Sequence, residues 1–472
     1  MKNIILMSDS YKYSHPWQYP KDTTYLHSYL ESRGGTENSV LLPAVKFFGL
    51  QYLIKEYLTI KVTKEMVEEA KEVLQLHGVP FDHAGWMRIV NHHQGNIPLK
   101  IRAVPEGSFI PRRNVLMTIE STDEELFWLV GWAETLLMKV WYPTTVATLS
   151  YNIYQMIQDF MNQTCDNLDK LPFMLHDFGY RGAASEESGS LGGLAHLTNF
   201  SGTDTIGAIM YGRKYYHSTM SGFSIPATEH STITAWGSDS TSEKMAFEHI
   251  IEMFAPNYPL FACVSDSYDF LNAVDMWGEL KEQITKQNST LVIRPDSGDA
   301  KSNILMALKK LEVSYGYQIN TKGYKVLQNV ALIQGDGVNF NEIYDILKMM
   351  KENNYAADNI AFGMGGALLQ GNEKSSVNRD THKFAIKCSA IQKSGKIYDV
   401  FKNPVTDHGK KSKKGRLDLI INQKTKGYET VKLDASYKLG EYHKDSILTT
   451  YYENGIVYCD YKLEDIKEKN NN

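Results

Sequence analysis

Five short apolar runs in the middle of this chain each end in residues able to do chemistry. Phe173-Met-Leu175 leads into His176-Asp-Phe-Gly-Tyr-Arg181, and Phe261-Ala-Cys-Val264 into Ser265-Asp266. Leu291-Val-Ile293 precedes Arg294-Pro-Asp296, Val330-Ala-Leu-Ile333 precedes Gln334-Gly-Asp-Gly337, and Ile360-Ala-Phe362 precedes Gly363-Met-Gly-Gly366. Carboxylates such as Asp177, Asp266, Asp296 and Asp336 can orient ribose hydroxyls, hold Mg²⁺ or stabilise a cation, while Arg181 and Arg294 match phosphate geometry. Any one of these aspartates could equally cap a helix or tie a loop. Five strand ends of similar chemistry argue for a site. Glycines free backbone amides to cradle a phosphate, although either glycine-rich loop alone could be a simple tight turn. Together, after successive strands, they point to a phosphorylated substrate.

His230, in Ala227-Thr-Glu-His-Ser-Thr232, has small polar neighbours and suits a nucleophile or general base. A lone histidine serves more often as a hydrogen-bonded structural residue. His83, His92 and His93 lack convincing partner carboxylates nearby, so no zinc site is expected there. Lys410-Lys-Ser-Lys-Lys-Gly-Arg416 is the one dense basic run. A solvated loop or a nucleic-acid patch would explain it, but beside a phosphate site a loop gripping pyrophosphate fits better.

These groups need a scaffold that gathers strand ends. Short buried strands alternate here with stretches of helical spacing, such as Ile304, Leu305, Leu308, Leu311 and Ile343, Ile346, Leu347, Met350. That pattern predicts parallel βαβ units. Polar residues just after each strand match the catalytic face of an α/β barrel, although a doubly wound open sheet gives a similar pattern. After Lys387 the chain returns to short β-like pieces, Ile397–Phe401 and Gly455–Cys459. The predicted organisation is an α/β barrel over residues 166–384, with 1–165 plus 385–472 forming a discontinuous, β-rich mixed domain. In the first part, Thr63 is expected to cap a helix running to Gly78, with Met66, Ala70, Val73, Leu74 and His77 on one face.

With 472 residues, 42% hydrophobic and 22% charged, the chain has the makings of two globular domains rather than disorder. Lys+Arg number 50 against 55 Asp+Glu, so no global field recruits nucleic acid or an anionic membrane. Ile4–Met7 is too short for a signal-peptide core, and Leu126–Ala133 is too short to span a bilayer, so Leu126–Trp141 reads as a buried helix. Cys165, Cys263, Cys388 and Cys459 show no CxxC spacing and suit a reducing compartment. A cytoplasmic location is expected.

The ordered motifs resemble the nicotinamide phosphoribosyltransferase family over nearly the whole chain. They are Ser8-Asp-Ser-Tyr-Lys12, Tyr29-Leu-Glu-Ser-Arg33, the His176–Arg181 segment and Asn199-Phe-Ser-Gly-Thr-Asp204. Glu229–Trp236, Ser265-Asp-Ser-Tyr-Asp269, Arg294-Pro-Asp-Ser-Gly298, Gln334–Gly337 and Ser412-Lys-Lys-Gly-Arg416 complete them. The resemblance implies an irregular, type II phosphoribosyltransferase-like α/β barrel and a homodimer with shared active sites. It implies joining of nicotinamide to 5-phosphoribosyl 1-pyrophosphate in NAD salvage, with Mg²⁺, and with ATP hydrolysed through a phosphohistidine.

The resemblance also implies roles. Phe178 and the partner chain's copy of Tyr11 would sandwich the pyridine ring, and Asp204 would face its carboxamide. Arg294, Asp296, Gly335 and Asp336 would hold the ribose side. Gly365, Gly366 and Arg379 would take the 5′-phosphate, helped by Lys387. Arg33, Arg181, Lys402, Lys410 and Arg416 would surround pyrophosphate or the ATP phosphates. His230 would be phosphorylated, with Asp266 positioning it; the Mg²⁺ ligands are not singled out. One departure is that Gly371–Asn378 is longer than the family's usual connection, before Arg379-Asp380 and Lys387 restore the pattern. A nicotinate-specific enzyme of related fold is the near rival, and Asp204 opposes it by like charge. A metal-dependent hydrolase on Asp266, Asp296 and His230, or a binding protein displaying the basic run, are the readings from other classes.

Overall fold

The computed structural model describes residues 2–34, 43–371, 377–404 and 411–471. The chain divides into two compact units, Leu149–Lys214 with Ser218–Val377, and Met1–Thr148 with Tyr215–His217 and Asn378–Asn472. The first seam falls at Thr148, inside the helix Trp141–Thr164, where the sequence pattern suggests residue 165. An unbroken helical period carries no mark of the crossing.

The middle unit contains six parallel strands. Their order is Gly202–Thr203, Leu175–Asp177, Ile360–Met364, Val330–Gln334, Thr290–Arg294 and Leu260–Val264. The strand expected over Phe173–Leu175 begins only at Leu175, because Leu171–Phe173, with Pro172, forms a 3-10 turn. The extended residues 223–228 join the two edges: Phe223 bridges Gly202, and Ala227 bridges Ala262. The Phe223 amide donates to the Ser201 carbonyl at 2.8 Å, and the Ala262 amide to Pro226 at 2.8 Å. The sheet is thus closed into an irregular α/β barrel, and the open doubly wound alternative falls away. Ala262, Val292 and Ile333 line its interior, with Phe178, Ile225 and Ala361 packed against them. Since side chains alternate along a strand, Arg294 shares the inward face of Val292, and Gly363 that of Ala361.

The helices between strands start as their capping residues dictate. Asp269 accepts from the Asn272 amide at 3.0 Å and Asp299 from Ser302 at 2.8 Å, opening helices Phe270–Glu279 and Ala300–Ser314. Each cap lies three residues after an aspartate of the site, Asp266 or Asp296. The capping duty therefore falls on the second aspartate of each motif and leaves the first available. Ile343, Ile346, Leu347 and Met350 are buried along helix Phe340–Glu352, as their spacing requires.

The other unit is built on a seven-stranded antiparallel sheet. Its order is Lys396–Asp399, Phe384–Lys393, Thr23–Ser32, Val115–Ser121, Leu99–Ala103, Thr449–Glu453 and Ile456–Val457, so strands from both ends of the chain interleave. Thr63 caps helix Lys64–His77 through the Met66 amide, and Gly78, at φ +89°, ends it. Its buried face is Met66, Val67, Ala70 and Leu74, whereas Val73 and His77 are exposed. The single helix expected over Leu126–Trp141 is instead a 3-10 turn followed by short helices Leu129–Trp132 and Glu134–Met138. Among the described residues no helix is long and apolar enough to cross a membrane.

Candidate active site

At the carboxyl ends of the barrel strands, Phe178, Gly335, Gly363 and Asp296 converge. The Phe178 amide donates to the Met364 carbonyl at 3.0 Å, which fixes where its ring departs. That ring lies where a side chain at 363 would start: a Cβ there would come within 2.0 Å of it. A Cβ on Gly335 would stand 3.5 Å from the Phe178 ring and 3.6 Å from an Asp296 oxygen. Gly363 therefore serves the aromatic slot, a role that its place in a glycine-rich loop does not announce. Arg294 approaches Asp296 at 3.9 Å, and its Nε is buried without a hydrogen-bond partner. A buried cationic donor with only a long ion pair, at the mouth of a barrel, can serve an acceptor from outside the chain.

Two neighbouring aspartates have opposite fates. Asp177 points away from the interior and is fully buried; it accepts from the Thr205 hydroxyl at 2.6 Å and the Gly179 amide at 2.8 Å. Burial pushes its carboxyl up to about 6. This residue ties loops together, the structural alternative for a strand-end aspartate. Asp204 is exposed, its amide donating to the Asp177 carbonyl at 3.0 Å and its carboxylate accepting from Ser224 at 2.7 Å. His176 packs so closely on Gly202 that a Cβ there would meet its ring at 2.6 Å, and burial lowers its pKa.

His230 opens the short helix His230–Thr234, and its Nε2 meets Asp266 Oδ1 at 2.9 Å. The imidazole is 46% exposed, whereas the Asp266 side chain is only 3% exposed. The second Asp266 oxygen accepts from the Ser297 hydroxyl at 2.5 Å and the Asp296 amide at 3.0 Å. Burial alone would raise this carboxyl, but the bonds from Ser297, His230 and the Asp296 amide outweigh it and hold it below the ordinary range. An exposed imidazole aimed by a buried, ionised carboxylate is equipped for nucleophilic or proton-transfer work.

The remaining barrel residues frame this mouth. Asp336 is exposed on the Gly335–Gly337 turn, where Gly337 takes φ +67°. Gly365 precedes the short helix Gly366–Leu369, and a Cβ on Gly366 would meet open space. Arg181 is exposed on the turn Tyr180–Gly182, which packs so that a Cβ on Gly182 would touch Gly366 at 3.3 Å.

The other unit carries the cationic group. Arg33 donates to Glu31 at 2.8 Å, Lys413 pairs with the second oxygen of Glu31, and a terminal nitrogen of Arg33 is buried without a partner. A cleft of about 430 Å³ beside them is lined by Arg113, Phe401, Lys411 and Lys414 as well. Lys387 lies opposite Tyr29 on the neighbouring strand. Burial lowers its pKa, and Arg33, Lys12 and Lys402 add to this against the pull of Glu134. Arg379 is exposed and paired with Asp380 at 3.1 Å; Tyr11 is 55% exposed. Lys410 and the 372–376 stretch lie outside the described residues.

Two expectations are corrected here. Arg416 is buried, and its guanidinium donates to the carbonyls of Tyr437, Lys438 and Glu441 at 2.9–3.1 Å, so it braces a loop rather than lining the basic cleft. His83 and His93 do have carboxylate partners, Glu68 and Asp123, each at 2.7 Å but far off in sequence. Among the described residues no three such ligands converge into a metal site. Ser224, Ser297 and Arg113 went unnoticed in the sequence. Only Ser297 carried a signal, its seat in the Arg294–Gly298 motif.

Comparison with known proteins fits this geometry. Residues 173–443 match the nicotinate phosphoribosyltransferase family, and residues 3–101 match the N-terminal domain of nicotinamide phosphoribosyltransferase. The chain is 47% identical over 471 residues to a nicotinamide phosphoribosyltransferase from Xanthomonas campestris, covering 99% of this chain and 98% of that one. It is 32% identical to one from Mycoplasma pneumoniae, covering 88% and 95%. A nicotinate-nucleotide pyrophosphorylase from Pyrococcus furiosus shares the fold at TM-score 0.58 and 16% identity, covering 99% and 94%. Human nicotinic acid phosphoribosyltransferase does so at TM-score 0.56 and 13%, covering 99% and 93%. On a type II phosphoribosyltransferase fold, with this likeness running from end to end, the chain belongs to the nicotinamide phosphoribosyltransferase family.

Proposed function

We propose that the protein joins nicotinamide to 5-phosphoribosyl 1-pyrophosphate, releasing nicotinamide mononucleotide and pyrophosphate, as a cytoplasmic homodimer serving NAD biosynthesis. The observation that carries this reading is the aromatic slot: the Phe178 ring seated on Gly363, with Asp296 and Gly335 beside it. A flat heterocycle stacked there, between Phe178 and the partner chain's copy of Tyr11, would meet a ribose held by Asp296, Arg294, Gly335 and Asp336. Breaking the anomeric C–O bond builds positive charge on the sugar and negative charge on the leaving pyrophosphate. Carboxylates suit the first, and cations such as Arg33, Lys387, Lys402 and Lys410 suit the second. Gly365, Gly366 and Arg379 would take the 5′-phosphate, and Arg181 the pyrophosphate.

Mg²⁺ would be carried largely by the substrate phosphates, with Asp296 or Asp336 as the protein ligand. Bound so, it would neutralise charge on the pyrophosphate. ATP would be coupled through His230. Its Nε2 is engaged by Asp266, which leaves Nδ1 to attack the γ-phosphorus; an N–P bond forms as the P–O bond to ADP breaks. The direct test is incubation with nicotinamide, the pyrophosphorylated sugar and Mg²⁺, with the product identified by mass. Formation of the mononucleotide from nicotinate instead would overturn the choice of base.

Asp204 should set that choice. Its side-chain oxygens can accept from a carboxamide N–H, whereas nicotinate offers no donor and adds repulsion. A charged hydrogen bond is worth roughly 1.5–3 kcal/mol, so wild type should prefer nicotinamide by at least about a hundredfold in kcat/KM once repulsion is included. Asp204→Ser should cut that ratio by at least about tenfold. An unchanged ratio would show that Asp204 does not read the carboxamide. Shared sites make a separate forecast: mixing inactive Tyr11→Ala and inactive Asp296→Ala chains should restore activity through hybrid dimers. A mixture that exchanges subunits yet stays dead would exclude them.

A further inference from the structure

We propose that Ser224 is a specificity-determining residue that aims Asp204 at the base; this rests on the reading that Asp204 faces the carboxamide. Ser224 lies in the extended stretch that closes the barrel. Its neighbour Phe223 is pinned in both directions, donating to Ser201 at 2.8 Å and accepting from the Thr203 amide at 3.0 Å. That double bridge anchors the backbone next to Ser224, whose exposed hydroxyl donates to Asp204 Oδ1 at 2.7 Å. Asp204 has its own backbone anchor, the amide bond to the Asp177 carbonyl, and Asp177 is immobilised by two loops.

The side chain is another matter. Asp204 is exposed, and an exposed carboxylate turns freely about its terminal bond. No cation is hydrogen-bonded to it among the described residues; nearby His176 is half-buried, and burial lowers its pKa against the pull of Asp204. The Ser224 hydroxyl is the one donor seen on this carboxylate. By occupying Oδ1 it sets the plane of the group and leaves Oδ2 to accept from a ligand N–H. The same hydroxyl has a latent second use. Without a carboxylate at 204 its proton is free, and it can donate to an anionic oxygen of nicotinate. Ser224 therefore favours nicotinamide through Asp204 and would favour nicotinate in its absence.

The test is kcat/KM for both bases, at saturating sugar, in wild type, Ser224→Ala, Ser224→Thr, Asp204→Ala and the double Ala variant. Ser224→Ala should lower kcat/KM for nicotinamide about tenfold and leave that for nicotinate within about twofold, so the ratio falls. KM for the sugar should not move, and Ser224→Thr, which keeps the hydroxyl, should restore the ratio. In the Asp204→Ala background, removing Ser224 should lower nicotinate turnover about fivefold. Equal losses for both bases, or none, would overturn the role of Ser224. An Asp204→Ala ratio equal to wild type would instead sink the reading on which it rests, and the two failures are separately visible.

Discussion

The His230→Ala protein is expected to hydrolyse no ATP above background and to take no label from γ-labelled ATP, while keeping some ATP-independent turnover. Of the two side chains in the His230–Asp266 pair the imidazole is the one open to solvent, so a transferred phosphoryl group would have one nitrogen to reach. Removing the ring takes away that nucleophile outright, a larger effect than losing a general base, which typically costs 10²–10⁴-fold. The scaffold should survive, because Asp266 keeps its bonds from Ser297 and the Asp296 amide. The label on wild type should be lost in acid and stable in base, as a phosphoramidate is. Label persisting in the variant would move the phosphorylated residue elsewhere, and loss of ATP-independent turnover as well would give His230 a part in glycosyl transfer itself.

Gly363→Ala should lower kcat/KM for the base at least about a hundredfold. A methyl at this position would stand 2.0–2.2 Å from two ring carbons of Phe178, far inside any contact that a shift of tenths of an ångström could relieve. The Phe178 backbone is held by its bond to Met364, so the ring itself must swing out of the slot. Misplacing a positioning group by about 1 Å can cost about a hundredfold. The fold should be weakened by about 1–3 kcal/mol, as overpacking is, without being abolished. Gly366→Ala makes the contrast, since its Cβ enters open space: stability should hold, and any loss should appear in KM for the sugar. Thermal unfolding midpoints with KM for both substrates separate the cases. A Gly363→Ala enzyme with wild-type KM for the base would show that Phe178 need not lie there.

Much of the barrel was legible because its signal is local. A parallel strand buried on both faces must be apolar along its length, and the polar residues after it must lie at one end of the sheet. Leu291–Ile293, Val330–Ile333 and Ile360–Phe362 obey that rule, and helix Phe340–Glu352 obeys the 3.6-residue period. Where local rules failed, tertiary contacts had overridden them. Leu126–Trp141 is apolar enough for one helix, yet it divides into the end of a 3-10 turn and two short helices. The closing stretch 223–228 went unread because it forms only isolated bridges and has no strand pattern of its own.

The sequence by itself determined the alternation of parallel strands and helices, the strand ends that gather carboxylates and glycines, and the ordered motifs by which the family is recognised, while closure of the sheet into a barrel came from the bridges of residues 223–228. Those features depend on residue type and on spacings of a few positions. Only the tertiary structure decided which aspartate of each motif caps a helix and which turns to the site, or that Asp177 is a brace while Asp204 is exposed. It also seated Phe178 on Gly363, set Ser224 beside Asp204 and Ser297 beside Asp266, and turned Arg416 from the basic run into a buried loop support. Each of these outcomes is a contact between segments distant in sequence. Such contacts are selected by packing and by the cost of leaving a buried polar group unpaired, and those terms act only once the chain has closed on itself.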